Sequence, residues 1–338
     1  MQTHCYRFPV DQLTLDGLDR QLVHALQIDG RASFSRIAAA LGGSDRTIAR
    51  RYRRLRTSGA LRVVGLPDGR QLGQVDWLVR MRCPPDAATA VAAALARRED
   101  TSWVSLTSGG TEITCITRTH ARTQDGELLL HKLPRTPRMT AVTAHCLLRP
   151  VAGTGGWPGR TAALSHAQIQ SLRPPSTPQL PGNRVELADP DRKLLPVLAT
   201  DGRAGYPTLA AATGWSETTV RRRLDELRRS DLLYFVVEIE PSLFGYTTEA
   251  ILWLTVAPKW LGAVTRALAE HPEIAFAAAV TGPSNVVAFA VFPDADAMYE
   301  YLASGIGALK GVLQLETAPV VRRIKGAGTL LNPPGPGR

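Results

Sequence analysis

Cysteine is scarce in this 338-residue chain: four residues, Cys5, Cys83, Cys115 and Cys146, stand singly along its length. No pair has zinc-ligand spacing, so neither a metal site nor a disulfide framework is implied, and the thiols read as reduced packing residues. No apolar run approaches the roughly 20 residues that span a bilayer, and Met1 to Val10 holds no signal-peptide core. No membrane partner is therefore expected, and the expected location is cytoplasmic. Acidic residues are too few in one half only. The net charge of +10 divides into +9 over residues 1–150 and −3 over residues 185–325, with the remaining +4 in the segment between them and the tail. A basic half points to a polyanionic partner, whereas an acidic half does not by itself.

What is present is a repeat. Residues Asp19 to Gly73 align without a gap on Asp191 to Gly245, with 22 of 55 positions identical. The shared positions include Asp29-Gly30-Arg31-Ala32 against Asp201-Gly202-Arg203-Ala204, Ala38-Ala39-Ala40 against Ala210-Ala211-Ala212, and Arg50-Arg51 against Arg222-Arg223. An offset of 172 residues is too long for a solenoid unit and suits a duplicated domain pair. With one inserted residue the match continues, pairing Trp103 with Phe276, Gly109 with Gly282 and Arg149 with Arg322.

Each copy opens with a pattern of three short helices. Leu18, Leu22, Val23 and Leu26 recur at helical spacing until Asp29-Gly30. Ser33 or Ser35 can cap a second helix with Ile37, Ala38 and Leu41 on one face, ended by Gly42-Gly43. Ser44 can cap a third, with Asp45 in its first turn and Ile48, Tyr52 and Leu55 facing inward. A strand-like stretch follows. The remainder of the second copy then reads strand, helix, strand, strand, helix, strand, over Ala250–Val256, Trp260–Ala269, Ile274–Thr281, Val286–Phe292, Ala295–Ile306 and Val312–Val321. The order βαββαβ predicts an antiparallel sheet covered on one face by two helices. The first copy repeats it between Val75 and Leu148.

Ala38, Gly42 and Ile48 sit at helix-turn-helix spacing, repeated as Ala210, Gly214 and Val220. A small residue lets the two helices approach, a glycine suits the turn and a branched residue anchors the second helix. Arg46, Arg50, Arg51, Arg53 and Arg54 line the first candidate recognition helix. Arginine can pair with phosphate or make two hydrogen bonds to guanine, and the amino-terminal end of such a helix is expected to reach the bases. Arg46 and Arg50 are accordingly assigned to base edges, Ser44 and Thr47 to phosphate, and Arg53, Arg54 and Arg56 to backbone or solvent. The second helix offers Ser216, Thr218, Thr219, Arg221, Arg222 and Arg223, but with Glu217, Asp225 and Glu226 among them. A solvated arginine-rich surface is the competing reading, and it is stronger for the second copy.

These segments, from Leu15 to Leu61 and from Asp191 to Leu233, resemble the DNA-binding module of the Lrp/AsnC transcriptional regulators, and Val280 to Lys325 resembles that family's ligand-sensing domain. The resemblance implies an α+β chain with two winged-helix or helix-turn-helix domains and two ferredoxin-like sensing domains in tandem. Its expected parts are an extension (1–15), a helix-turn-helix domain (16–66), a sensing domain (67–149), a Pro/Gly-rich linker with one helix at Ala163–Leu172 (150–184), a second helix-turn-helix domain (185–238), a second sensing domain (239–325) and a disordered tail (326–338). Because family members usually dimerise as single-copy chains, an internal pseudo-dimer is expected, with further self-association through the sensing domains.

The resemblance further implies double-stranded DNA as partner and an amino acid or related metabolite as effector, with no cofactor. The family's effector loop has glycine followed three residues later by aspartate. Here it reads Gly109-Gly110-Thr111-Glu112 and Gly282-Pro283-Ser284-Asn285. Glu112 keeps the charge an ammonium group needs, and Asn285 removes it. A plain β-turn is the alternative for each loop. Two rival functions share the fold. Siroheme decarboxylases are built from the same modules, but here His24, His120, His131 and His271 are scattered, none matched by a histidine in the other copy, and no acid–base pair marks a catalytic centre. A sensor without DNA binding is the other.

Overall fold

The structure, a computed structural model, describes residues 13–120, 138–153, 162–174 and 187–328. Asp16 opens α1 (Gly17–Ile28) with a reciprocal cap, accepting from the Asp19 amide at 2.9 Å while Asp19 accepts from the Asp16 amide at 3.2 Å. Ser33 caps α2 (Phe34–Leu41), and the chain then turns at Gly42, whose φ of +69° is the left-handed conformation that glycine adopts without a Cβ clash. Ser44 caps α3 (Asp45–Thr57). Leu22, Val23, Leu26, Ile37, Ile48 and Leu55 are fully buried where the three helices meet. Strand β1 (Leu61–Pro67) follows.

The first sheet holds β2 (Gln74–Arg82), β3 (Thr101–Thr107), β4 (Glu112–His120) and β5 (Ala141–Ala152), with α4 (Pro85–Ala96) packed on its outer face through Ala88, Ala92 and Leu95. The second covering helix expected for this sheet lies outside the described residues. In the linker, α5 (His166–Leu172) is shorter than the Ala163–Leu172 expectation because the Ser165–Gln168 capping box starts it later. It docks on the first helical unit: Leu172 is fully buried in that core, and Arg36 donates to the carbonyls of Ser171 and Arg173 at 2.9 and 2.6 Å.

The second copy repeats these parts as α6 (Asp189–Thr200), α7 (Tyr206–Thr213), α8 (Glu217–Arg229) and β6 (Leu233–Ile239). Its sheet contains β7 (Thr248–Val256), α9 (Leu261–Glu270), β8 (Ile274–Val280), β9 (Val286–Phe292), α10 (Ala295–Glu300) and β10 (Val312–Arg323), and α10 runs on as a π turn to Ile306. The βαββαβ order expected for this copy is present.

Strands β5 and β10, 12 residues each, are longer than their neighbours, and this length joins the two sheets. The first half of β5 pairs with β2, from Arg82 opposite Ala141 to Trp77 opposite Cys146, and its second half pairs with β8, from Leu147 opposite Val280 to Ala152 opposite Ala277. β10 does the same with β7 and β3. Eight strands thus close into one barrel in the order β10-β3-β4-β2-β5-β8-β9-β7. Closure removes exposed strand edges. Between the sheets Leu78, Ile251, Trp253, Ala278, Val280, Val287 and Ala318 are buried. The internal pairing expected of the two sensing sheets is what the fold contains.

The strand after each third helix makes no hairpin of its own. β1 pairs antiparallel with β6 over seven residues, from Leu61 opposite Ile239 to Pro67 opposite Leu233, and this ribbon ties the two helical units together. The repeated Asp-Gly-Arg-Ala segment completes the junction by exchange. Arg31 donates to the carbonyls of Gly202 (2.7 Å) and Ala204 (3.1 Å), and Arg203 donates to those of Gly30 (2.7 Å) and Ala32 (2.9 Å). The Arg31 guanidinium lies over Tyr206 and the Arg203 guanidinium over Phe34 and Tyr52. Two ion pairs are exchanged the same way, Arg56 with Asp201 and Arg228 with Asp29. Gly30 and Gly202 permit the close approach, since a Cβ at Gly30 lies 2.7 Å from Phe235 and one at Gly202 lies 2.8 Å from the Val64 backbone.

The tail departs from the expectation of disorder from Gly326 onward. Gly326 accepts from the Trp103 amide at 2.9 Å, and Ala327 donates to the Glu238 carboxylate at 2.5 Å while packing on Val64 and Val236. These backbone bonds outweigh the local Gly-rich composition. Residues 329–338 and 1–12 lie outside the described residues. No described helix is long and apolar enough to cross a membrane.

The exchanged arginines set the stability of the junction. Arg203→Ala removes two hydrogen bonds and leaves two inner carbonyls without their donor. We expect a loss of about 2–4 kcal/mol in denaturant unfolding followed by circular dichroism. A loss below about 0.5 kcal/mol, the range of ordinary surface changes, sinks this account.

Candidate nucleic-acid interface and sensing sheets

The geometry sorts the arginines of α3 into two groups. Asp19, fully buried on α1, accepts from Arg51 at 3.0 Å and from Arg54 at 2.5 Å, while Asp16 also takes Arg51 at 2.6 Å. In the second copy the buried Asp191 accepts from Arg223 at 2.6 Å, and Glu226 binds the same arginine at 3.0 Å. A carboxylate taken out of water needs a counter-charge, and these arginines supply it. Arg51 and Arg223, both expected to contact DNA, are thus engaged by carboxylates within the fold. Arg54 is engaged in the same way but remains half exposed. Identity between the copies does not single these arginines out, because the exposed Arg50 and Arg222 fall among the identical positions as well.

Arg46, Arg50 and Arg53 form the other group. All three are exposed, stand about one turn apart on one face of α3, and have no side-chain partner among the described residues. The corresponding face of α8 presents Thr218, Arg222 and Asp225, also exposed. Arg221 lies over the Tyr206 ring at 4.7 Å. Ser44 and Thr47 define the helix start: Ser44 accepts from the Thr47 amide at 3.2 Å and donates to the Thr47 hydroxyl at 2.9 Å, and Ser216 and Thr219 repeat both contacts at the same distances. Their first duty is capping, and they stay exposed or half-buried at the helix end where a phosphate meets free backbone amides. The exposed face of α3 thus carries three cations, and that of α8 one cation beside Asp225.

The two loops expected to hold an effector differ from expectation in their key residue. Gly109 and Gly110 take φ values of +69° and +86°, with Thr111 exposed beside them. Glu112 is buried, however. It accepts from Arg80 at 3.0 Å on each oxygen, from Arg82 at 2.7 Å and from Ser108 at 3.0 Å. Burial alone raises its pKa, but the Arg82 and Arg80 guanidiniums outweigh that and hold it below the usual carboxylate range. Arg80 continues across the barrel to Glu316 on β10 at 2.9 and 2.5 Å, over the Trp253 ring. Glu112 is thus a barrel brace and not an open anion for an ammonium group. In the second loop, Gly282 and Pro283 are exposed, and the Asn285 amide accepts from Val256 N at 2.8 Å and donates to Val256 O at 2.7 Å. That pair of hydrogen bonds to the end of β7 makes Asn285 a strand clamp. Ser284 instead faces a cavity of about 320 Å³ lined with Trp253, Thr255, Gln314, Leu315 and Glu316.

Of the described histidines, His145 binds the Thr281 carbonyl at 2.7 Å and His271 the Tyr301 hydroxyl at 2.8 Å. His24 is buried in α1, with its Nδ1 unpartnered among the described residues. His131 lies outside the described residues. Among the described residues no group of three or more His, Cys, Asp or Glu side chains is arranged to hold a metal ion.

Two braced helix-turn-helix units joined to a closed barrel of ferredoxin-like sheets define an α+β architecture. Residues 15–56 and 189–228 match the AsnC-type helix-turn-helix domain, and residues 249–330 match the Lrp/AsnC ligand binding domain. The chain is similar to the HTH-type transcriptional regulator FL11 of Pyrococcus horikoshii, 29% identical over 143 residues that cover 42% of this chain and 94% of that protein. It is similar to the HTH-type transcriptional regulator LrpA of Pyrococcus abyssi at 25% over 136 residues, 40% of this chain and 96% of that one. Across 93% of this chain and 94% of the other, its fold resembles the siroheme decarboxylase NirDL, with a TM-score of 0.63 and 13% identity. At that identity the likeness is one of fold. The domains and the sequence relatives are those of Lrp/AsnC-type transcriptional regulators.

The Glu112 brace leaves a pH signature. A carboxyl held below its ordinary value contributes stability that is full above the unfolded value near 4.5 and drains away as pH falls through the folded value. Glu112→Gln should cost about 2–4 kcal/mol at pH 7, and the difference from wild type should shrink toward pH 3. Parallel unfolding curves across that range, equally spaced at every pH, contradict the assignment.

Proposed function

We propose that the protein is a sequence-specific DNA-binding transcriptional regulator of the Lrp/AsnC type, formed by duplication so that one chain does the work of a dimer. The observation that carries the reading is the trio Arg46, Arg50 and Arg53, exposed and without a side-chain partner among the described residues, on a capped helix whose other arginines are used internally. Three cations on one face suit the major groove of double-stranded DNA. In this reading Arg46 and Arg50 reach base edges, Arg53 the backbone, and Ser44 and Thr47 a phosphate at the helix start. On α8, Arg222 is the main contact, supported by Ser216, Thr218, Thr219 and Arg221. The site of action is cytoplasmic, and no catalytic residue is assigned.

The first unit should dominate affinity, because its reading face carries three cations and the second one cation beside Asp225. Losing a phosphate contact weakens binding to every sequence and flattens the salt dependence by about one unit, whereas losing a base contact relaxes one position. Arg50→Ala is expected to weaken binding about ten- to hundredfold, more than Arg222→Ala. Fluorescence titrations of the two variants at fixed salt decide it; equal effects, or a larger one for Arg222→Ala, remove the asymmetry.

The effector reading now centres on the cavity beside Ser284. Its volume suits a small ligand, and Ser284, Thr255, Gln314 and Glu316 place polar side chains on its wall. Calorimetry against an amino-acid panel tests it. Ser284→Trp, which fills the cavity, should abolish any binding seen in the wild type, and unchanged binding moves the site elsewhere. Leu148 and Val321, 57% and 59% exposed at equivalent places on β5 and β10, support association of further copies through the outer barrel surface.

A further inference from the structure

Identity between the two helical units is distributed unevenly, and the structure shows the pattern. Residues that hold one unit to the other are kept in both copies: Asp29 and Asp201, Arg31 and Arg203, Arg56 and Arg228. The brace inside each unit is kept as well, Asp19 with Arg51 and Asp191 with Arg223. The outward faces of the recognition helices are not kept. Three positions, separated by four and then three residues, share one face of α3 within roughly a 60° sector. They hold Arg46, Arg50 and Arg53 in the first unit and Thr218, Arg222 and Asp225 in the second. Only the central arginine is common.

We infer that the protein reads a directional, non-palindromic duplex whose two half-sites share a guanine under Arg50 and Arg222 and differ on both sides of it. This rests on the reading of α3 and α8 as DNA-reading helices. A dimer of identical chains presents the same face twice and selects an inverted repeat. Here the two faces belong to one chain and cannot be traded for a second copy of the better one, because the seven-residue β1–β6 ribbon and the exchanged arginines fix them as a pair. The chemistry of the differing positions is specific. Arg46 offers two donors to a guanine edge, where Thr218 offers one hydroxyl and a methyl group that suits thymine. Asp225 accepts from the amino group of cytosine and repels phosphate, where Arg53 attracts it. The same contact order always follows the chain, so the complex has one orientation on its target.

Enrichment of bound duplexes from a random pool, with the full chain at fixed salt, tests the inference. The expected motif has two unequal halves that share one guanine. The variant Thr218→Arg/Asp225→Arg gives the second helix the face of the first, and it should prefer an inverted repeat of the first half-site by about tenfold or more. The reverse variant, Arg46→Thr/Arg53→Asp, should select an inverted repeat of the second half-site. All four positions are exposed, so both variants should fold, and circular dichroism checks that they do. An inverted repeat selected by the wild type, a motif confined to a single half-site, or variants that keep the wild-type motif each overturn the inference while leaving DNA binding intact. Absence of any enriched duplex overturns the DNA-binding reading, and this inference falls with it.

Discussion

The reciprocal exchange of Arg31 and Arg203 is the contact on which the arrangement of the molecule depends. Each guanidinium leaves its own unit, crosses the junction and donates to two carbonyls of the other unit's loop. Burial pulls both arginines' pKa down, but guanidinium starts so high that the charge survives, and carbonyl dipoles and aromatic faces replace the lost water. Because the bonds run to backbone, they fix the position of the loops and not just the side chains. With the β1–β6 ribbon they convert two small helical domains, each with a limited core, into one body.

The barrel extends the same logic to the sensing sheets. Each of its two long strands serves both sheets, so neither can unfold its edge without breaking the other's. The chain leaving β10 then runs from the first sheet to the ribbon: Ile324 and Lys325 donate to Val104, Lys325 donates to the Arg98 carbonyl at 2.5 Å, and Ala327 donates to Glu238 on β6. Burial pushes the Glu238 carboxyl up, a cost accepted where the segment crosses between domains. The barrel and the β1–β6 ribbon between the helical units are therefore connected through continuous packed contacts.

Within this near-symmetric frame the copies differ where they do not hold each other. The loop residue that braces the barrel through two arginines in the first copy, Glu112, is replaced in the second by Asn285, which clamps the adjacent strand through its backbone. Arg80 has Trp253 at the equivalent place, and the two meet, cation over ring, between the sheets. A charged half and an apolar half face each other inside one barrel, an arrangement closed to a dimer of identical chains.

The repeat, the three-helix units, the serine caps, the glycine turns and the βαββαβ order were legible in the sequence, because each depends on residues within a few positions of one another. Hydrophobic spacing and cap chemistry act locally, and the expected elements appear within a few residues of their places. Which arginines are drawn into the fold and which stay exposed was not legible, since Arg46, Arg50, Arg51 and Arg54 look alike along the chain. The difference lies in Asp16 and Asp19, which come within bonding distance only when α1 crosses α3. Glu112 likewise looks like an open loop carboxylate until the sheet register sets it opposite Arg82, and Arg31 like a surface cation until the second unit supplies carbonyls 171 and 173 residues away. Local composition therefore determined the elements and their order; the partners of charged groups were decided by tertiary structure, because Coulomb and hydrogen-bond energies depend on distance in space and not along the chain.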